Sequence, residues 1–442
     1  ADIFQEFAKQ FMKWIREVLH GYEISSSILV RITELLEEFS IKIAYKQLPN
    51  VCSIHYKFPP KLKPSLVERV NSASVEMACR IDMAGGWTDT PPITYSVNNP
   101  AVLNIAVKVD HKKPIGCEVG KLIGFEGIYL ISDLGSVLKY HSADEVVRNC
   151  SQPSKLGSLM CAIINASGFI NEEIEDGVKK HRFDWNLLSD SNARGLMVRF
   201  RSDLPHGSGL GTSSILAAAI LTALWTLFRR DFTRDDVVKT VLKIEQHHTT
   251  GGGWQDQVGG IVEGAKMITL DPSNQEVRWK VLPISAEFRE EIERRLVLVY
   301  TGKTRLAKDL LQAVILNWLR SDSDILDAFK RLSNDAFEAA TLMEQQTFPL
   351  KQCVNYHELK KTFASGSEPL FVADLIRCLK ERNFVEEAWI AGAGGGGFLY
   401  VWLQRNVRVE DLRKFFQLCS AFNQLTVSSI EIDENPLQIT TN

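Results

Sequence analysis

Apolar residues near the start of the chain recur at three- and four-residue steps: Phe4, Phe7, Phe11, Trp14, Ile15 and Leu19. That spacing places them on one face of a helix. Residues 28–39 repeat it, and Pro59, Pro60 and Pro64 then break it. Residues 1–70 are therefore expected to form a helical extension or linker. From about residue 75 the texture changes to short β-like runs, over 75–82, 101–109, 115–119, 128–132 and 195–201. In the last run Leu196, Val198 and Phe200 alternate with polar positions, the pattern of a half-buried strand. Helices are predicted over 215–229, 233–247, 306–320, 323–345 and 369–382, with a strand over 295–300. Towards the end, 388–402 reads as strand, glycine loop, strand, followed by a helix over 412–422 and a last strand over 428–433. Strands precede helices in both halves without strict β-α-β alternation. That implies an α+β fold with helices packed on sheets.

The 442 residues suffice for two ordinary domains or one large composite. Hydrophobic residues at 45% and charged residues at 24% describe a folded chain, not a disordered one. A net charge of −3 gives no general attraction to nucleic acid or to an anionic membrane. The longest apolar stretch, 215–228, is interrupted by Thr222 and Thr226 and is too short to span a bilayer. None of the eight cysteines forms a Cys-x-x-Cys pair, which favours reduced thiols and a cytoplasmic location. The chain opens at Ala1 without methionine, and it reads as a piece of something longer.

The strongest local signal is Pro205-His206-Gly207-Ser208-Gly209-Leu210-Gly211-Thr212-Ser213-Ser214. Glycines at alternate positions let a backbone take φ > 0 and approach an anion. The hydroxyl residues open a helix whose unpaired N–H groups and positive dipole end suit a phosphate. A plain glycine turn has the same spacing. The loop lacks Gly-Lys-Ser/Thr, so it is not a Walker loop, and it misses the dinucleotide fingerprint. A second run, Gly394 to Gly397, is costly for stability and fits close approach to a ligand. Glu245 falls near a helix C-terminus, where an acid opposes the dipole unless a cation meets it. Asp256 follows the turn Gly251-Gly252-Gly253. His247 and His248 lack the spacing of a helical zinc pair and read as near-surface histidines at a helix end.

Three segments, in order, resemble the three motifs of the GHMP kinases, the family of galactokinase, homoserine kinase and mevalonate kinase. They are 80–92, beginning Arg80-Ile81-Asp82-Met83-Ala84-Gly85-Gly86-Trp87-Thr88-Asp89, the loop 205–214, and Ala391 to Phe398. The resemblance implies a two-lobed GHMP kinase fold, with one lobe over 71–270 and the other over 271–442. It implies ATP bound by Pro205, Gly207, Ser208, Gly209, Leu210, Gly211, Thr212, Ser213 and Ser214, with Mg²⁺ held by Ser213 and Glu245. It implies Asp256 and Arg80 as catalytic residues, Asp256 taking the proton of the attacking hydroxyl beside the Arg80 charge. The acceptor would meet Arg80, Gly86, Trp87, Asp89, Asp256, Gly394 and Gly395.

Within the family, Gly-Gly-Trp-Thr-Asp at 85–89 with Gly-Gly-Gly-Trp-Gln-Asp-Gln at 251–257 resembles the L-fucokinase branch, as does 300–307. That resemblance implies phosphorylation of the anomeric hydroxyl of L-fucose to fucose 1-phosphate, on a salvage route to GDP-fucose. Gly86 stands where galactokinases carry a sugar-binding Glu, and Trp87 would offer the methyl group of a 6-deoxy sugar an aromatic surface. A heptose 7-phosphate, with Lys303 and Arg305 meeting its phosphate, and L-arabinose are the rival acceptors. A non-catalytic sugar sensor is the rival of another class. Oligomeric state is not legible.

Overall fold

The computed structural model describes residue 13, residues 59–63 and residues 70–442, except 151, 153–154, 206, 249–251, 272, 304–306, 320–322 and 365. Almost all of the expected helical extension, together with His206 and Arg305, lies outside the described residues.

Among the described residues the strands are β1 (Ser72–Met77), β2 (Cys79–Ala84), β3 (Ala101–Val109), β4 (Ile115–Ile123), β5 (Glu126–Ser132) and β6 (Val137–Tyr140). There follow β7 (Ile170–Glu175), β8 (Val178–Phe183), β9 (Ala193–Ser202), β10 (Ala265–Leu270) and β11 (Val277–Val281). The last are β12 (Leu296–Tyr300), β13 (Val385–Ile390), β14 (Phe398–Leu403), β15 (Thr426–Ile432) and β16 (Leu437–Thr441). One sheet runs β16-β1-β4-β9-β5-β6. A second runs β11-β10-β3-β15-β12-β14-β13, with β2 also paired to β3, and β7–β8 form a separate hairpin. All pairings are antiparallel except β5 with β9.

The single run expected over 75–82 is in fact two strands in two different sheets. The break falls at Ala78, whose N–H leaves the ladder to donate to the Pro436 carbonyl at 2.9 Å. The second sheet crosses residue 270, because β3 pairs with both β10 and β15.

The helix Thr212–Leu227 is apolar on every side, and such a helix belongs inside a protein. It packs on β1 and β4 with Ile215, Ala218 and Trp225 fully buried. Its neighbour, Arg234–His247, begins with a capping box in which Thr233 and Asp236 satisfy each other's backbone N–H groups. On the other side, Ser323–Glu344 packs on β3 and on the helix Leu350–Phe363. Together with Trp87 these helices enclose a cluster that includes Ile93, Trp318, Phe329 and Phe363. No helix among the described residues is long and apolar enough to cross a membrane.

Candidate active site

The site begins on β2. Arg80 is 3% exposed and reaches four partners. Its Nη1 donates to Asp82 Oδ1 at 2.9 Å, to the Gly209 carbonyl at 2.8 Å and to Tyr400 Oη at 3.4 Å. Its Nε and Nη2 both approach Asp256 Oδ1, at 2.8 and 2.7 Å. The arginine thus ties the first motif to the glycine loop and to Asp256.

Asp82 is fully buried and accepts hydrogen bonds from Tyr356 Oη at 2.9 Å, Tyr400 Oη at 2.7 Å and the Gly392 N–H at 3.2 Å. Burial works against its charge. Arg80, with Lys360 at 3.7 Å, nevertheless holds the carboxyl well below the usual carboxylate range. Lys360 is itself buried, which pulls its ammonium down to about 8 although Asp82 opposes the shift. Its Nζ sits over the Tyr356 ring and donates to the Ile390 carbonyl at 2.8 Å.

The turn after β2 explains the residues of the first motif. A Cβ on Gly86 would stand 2.0 Å from Tyr356 Oη, so only glycine fits. Trp87 takes φ +79, a region that L side chains rarely adopt. Its ring is 4% exposed and stacks on Phe363 with centroids 6.5 Å apart. The expected aromatic surface is therefore buried in the core, and what Trp87 contributes to the site is its N–H, which donates to Asp89 Oδ1 at 3.0 Å. Asp89 is fully buried, and burial, reinforced by the Asp256 charge, pushes its carboxyl up to about 7.

In the second motif Gly207, Gly209 and Gly211 all have positive φ, between 70 and 78. Pro205 accepts the Ser208 N–H, and Ser208 Oγ lies 3.0 Å from Thr212 Oγ1 and accepts the Leu210 N–H. The loop ends at the helix start, where Ser213 is exposed and Ser214 buried. The Ser214 hydroxyl donates to Glu245 Oε1. Burial, with Asp256 and Asp89 nearby, pushes the Glu245 carboxyl up to about 8, against the pull of the Ser214 bond. A Cβ on Gly211 would lie 3.2 Å from Asp256 Cβ and 3.3 Å from Arg80 Cγ. Asp256 is in the first turn of a short helix, Gln255–Ile261, and its side chain is 25% exposed. The buried amine of Lys266 holds the far end of that helix, donating to the carbonyls of Gly259, Val262 and Gly264.

The third motif packs backbone to backbone against the second. A Cβ on Gly392 would meet Gly209 Cα at 2.8 Å, and one on Gly397 would meet the Ser208 carbonyl at 2.6 Å. Gly394 and Gly395 lie against Ser367, whose carbonyl accepts the Gly395 N–H at 2.7 Å. Lys303 Nζ is over the Phe371 ring, and the Lys303 carbonyl accepts the Gly397 N–H.

The structure therefore brings Arg80, Asp256, the loop 207–211 and the turn 391–397 together. Glu245 meets Ser214, one residue beyond Ser213. The expected surface histidine His248 is instead buried, 3.0 Å from Ser158 Oγ. No cluster of three metal-ligating side chains of the His, Cys, Asp and Glu types occurs among the described residues. Gln255, Tyr356, Lys360 and Tyr400 were not legible as site residues. The helix Leu350–Phe363 had no clear apolar period, because Tyr356, His357 and Lys360 share its buried face. Its buried positions Cys353, Tyr356, Lys360 and Phe363 do keep helical spacing.

Residues 178–264 match the family model for the GHMP kinases N terminal domain. Those residues are a GHMP kinase N-terminal domain. A bifunctional fucokinase/GDP-fucose pyrophosphorylase from Arabidopsis thaliana is 29% identical over 360 residues, 79% of this chain and 32% of the relative. An L-fucokinase/L-fucose-1-P guanylyltransferase from Bacteroides fragilis is 31% identical over 331 residues, 73% of this chain and 33% of the relative. The chain thus spans about a third of the length of these two relatives. A D-glycero-alpha-D-manno-heptose 7-phosphate kinase from Campylobacter jejuni is 27% identical over 218 residues, covering 48% of this chain and 63% of the relative. Among solved structures, a mevalonate kinase from Methanococcus jannaschii superposes with a TM-score of 0.56 at 14% identity, covering 81% of this chain and 98% of that one. The α+β GHMP kinase fold is thereby common to both.

Proposed function

We propose that the chain transfers the γ-phosphoryl group of ATP to the anomeric hydroxyl of L-fucose. The observation that carries this reading is Asp256, partly exposed beside the glycine loop, with both Arg80 contacts on Oδ1. That leaves Oδ2 to face a substrate hydroxyl. The sugar oxygen attacks the γ-phosphorus, its proton passes to Asp256, and the bond to the departing ADP breaks. Phosphoryl transfer needs chiefly position and neutralised charge, which Arg80 and the N–H groups at the start of Thr212–Leu227 are placed to supply. The names of the two bifunctional relatives support L-fucose as the acceptor.

The residues present fit a divalent cation on the phosphates. Glu245 is a buried carboxylate whose ionised form is disfavoured by burial and by two neighbouring acids, and Ser213 exposes a hydroxyl on the same helix turn as its partner Ser214. Mg²⁺ takes few protein ligands and keeps waters, so Ser213 and Glu245 are a sufficient set. When bound, the cation neutralises phosphate charge. Asp89, Gly86 and the Trp87 N–H shape the acceptor floor, and Gly394 and Gly395 close it from the other side.

The test is a panel of L-fucose, L-arabinose, D-galactose and heptose 7-phosphate, each with ATP and Mg²⁺, on wild type and Asp256→Asn. Turnover of L-fucose that is lost in Asp256→Asn supports the proposal. Preference for the phosphorylated heptose redirects it to that acceptor, and sugar binding without ATP turnover replaces it with a sensor role.

A further inference from the structure

Gln255 stands between two carboxylates and has no part in the roles assigned so far. It precedes Asp256 and opens the helix Gln255–Ile261. Its backbone N–H donates to Asp89 Oδ2 at 3.1 Å, and its Nε2 donates to Asp89 Oδ1 at 3.1 Å. Its backbone carbonyl accepts Asn104 Nδ2 at 3.1 Å. These bonds fix the side-chain amide in one sense. Turning it over would set Oε1 against a carboxylate oxygen, so the assignment of nitrogen and oxygen follows from the network.

Two consequences follow from that orientation. Gln255 Oε1 points away from Asp89, and it is buried with no hydrogen-bond partner among the described residues. An acceptor left in that condition is unfavourable, and a donor from a ligand would relieve it. Asp89, by contrast, already accepts three donors, from the Trp87 N–H and both Gln255 nitrogens, and is fully buried. Gly86 lies alongside, where an added Cβ would come 3.3 Å from Gln255 Nε2. The acceptor without a partner is therefore on the residue next to Asp256, whereas the retained acid of the first motif already has three donors.

We infer that Gln255 determines acceptor specificity: its Oε1 takes a hydrogen bond from a ring hydroxyl of the sugar, and Asp89 acts behind it as a positioning residue. This rests on the sugar kinase reading above. A sugar that lacks the matching hydroxyl leaves Oε1 unpaired and is disfavoured, because sites built to hydrogen-bond a hydroxyl reject analogues without it.

The experiment measures kcat/KM for L-fucose and its monodeoxy analogues with wild type, Gln255→Met and Gln255→Ala, after thermal melts establish folding. In wild type, removal of one particular ring hydroxyl is expected to lower kcat/KM about 10- to 100-fold, the effect of one unpaired neutral acceptor. In Gln255→Met that penalty should shrink towards onefold, with KM for ATP unchanged. A merely structural role would lower all substrates together and leave the ratio intact. The proposal is overturned if both variants keep the wild-type ratio for every analogue. Where the thioether variant does not fold, Gln255→Ala is read in the same way. If wild type phosphorylates none of the sugars, the kinase reading itself fails. If it phosphorylates them and the ratios persist, only the role of Gln255 falls.

Discussion

Arg80 grips Asp256 by a single carboxylate oxygen, Nε at 2.8 Å and Nη2 at 2.7 Å from Oδ1. Neither contact falls on the other oxygen, and the same guanidinium is pinned by Asp82 and the Gly209 carbonyl. Replacing Asp256 by Asn removes the proposed proton acceptor without changing shape. Single-turnover kinetics should then show a loss of about 10²–10⁴ in rate, with ATP affinity retained. Arg80→Lys keeps the charge but has no forked geometry, and it should lose roughly 10² in kcat.

Glu245 and Asp89 give a pH dependence whose sign is set by burial. Both carboxyls are raised in the folded chain, to about 8 and about 7. The folded state therefore binds more protons than the unfolded one, and stability falls as pH rises from the ordinary carboxylate range through those values. Melting in the absence of divalent cations should occur at lower temperature near pH 8.5 than near pH 5 (about, in each case). Glu245→Gln, which cannot ionise, should narrow that difference. Equal pH slopes in wild type and variant would contradict the assignment.

Gly86 lacks a side chain because Tyr356 fills its space. Gly86→Ala sets a Cβ 2.0 Å from Tyr356 Oη and 2.8 Å from Cζ. Overpacking of this kind costs about 1–3 kcal/mol, measurable by denaturant titration. Adding Tyr356→Phe removes the nearer atom and should recover part of the loss. Gly86→Glu, the residue of galactokinases, should abolish activity and not transfer it to D-galactose, since Tyr356 and Gln255 already occupy the space at that Cβ.

Trp87 tests whether the first motif acts through its ring or its backbone. The ring is packed on Phe363, so Trp87→Ala should destabilise the fold by about 3–5 kcal/mol. Trp87→Phe keeps an aromatic ring and the N–H to Asp89. It should retain the L-fucose to D-galactose preference of wild type, read as a ratio of kcat/KM values.

Much of the site was legible because its glycines declare themselves. Three alternate glycines before a hydroxyl-rich helix start, and four in a row between apolar strands, have few uses other than close backbone approach. The carboxylate Asp256 followed from the resemblance carried by those motifs. What stayed hidden lay on elements whose period is disguised by polar residues facing inward. The helix Leu350–Phe363 buries Gln352, His357 and Lys360, so hydrophobic spacing could not mark it. Its Tyr356 and Lys360 nevertheless fix Asp82, and through Asp82 they fix Arg80. Strand boundaries failed where a single residue changes sheets, as Ala78 does. The orientation of Trp87 was equally out of reach, because burial depends on helices that arrive much later in the chain.

That late arrival has a kinetic meaning. β3, which supports Arg80 through β2, is flanked by β15, with Val109 opposite Ile430, and β1 is flanked by β16, with Ala73 opposite Thr441. Pairings between such distant segments are slow to form, since a long loop must close before any contact rewards it. On the ribosome β3 and β1 would lack these borders until β15 and β16 emerge. Catalytic competence should therefore appear abruptly, only after β15 and β16 have both emerged.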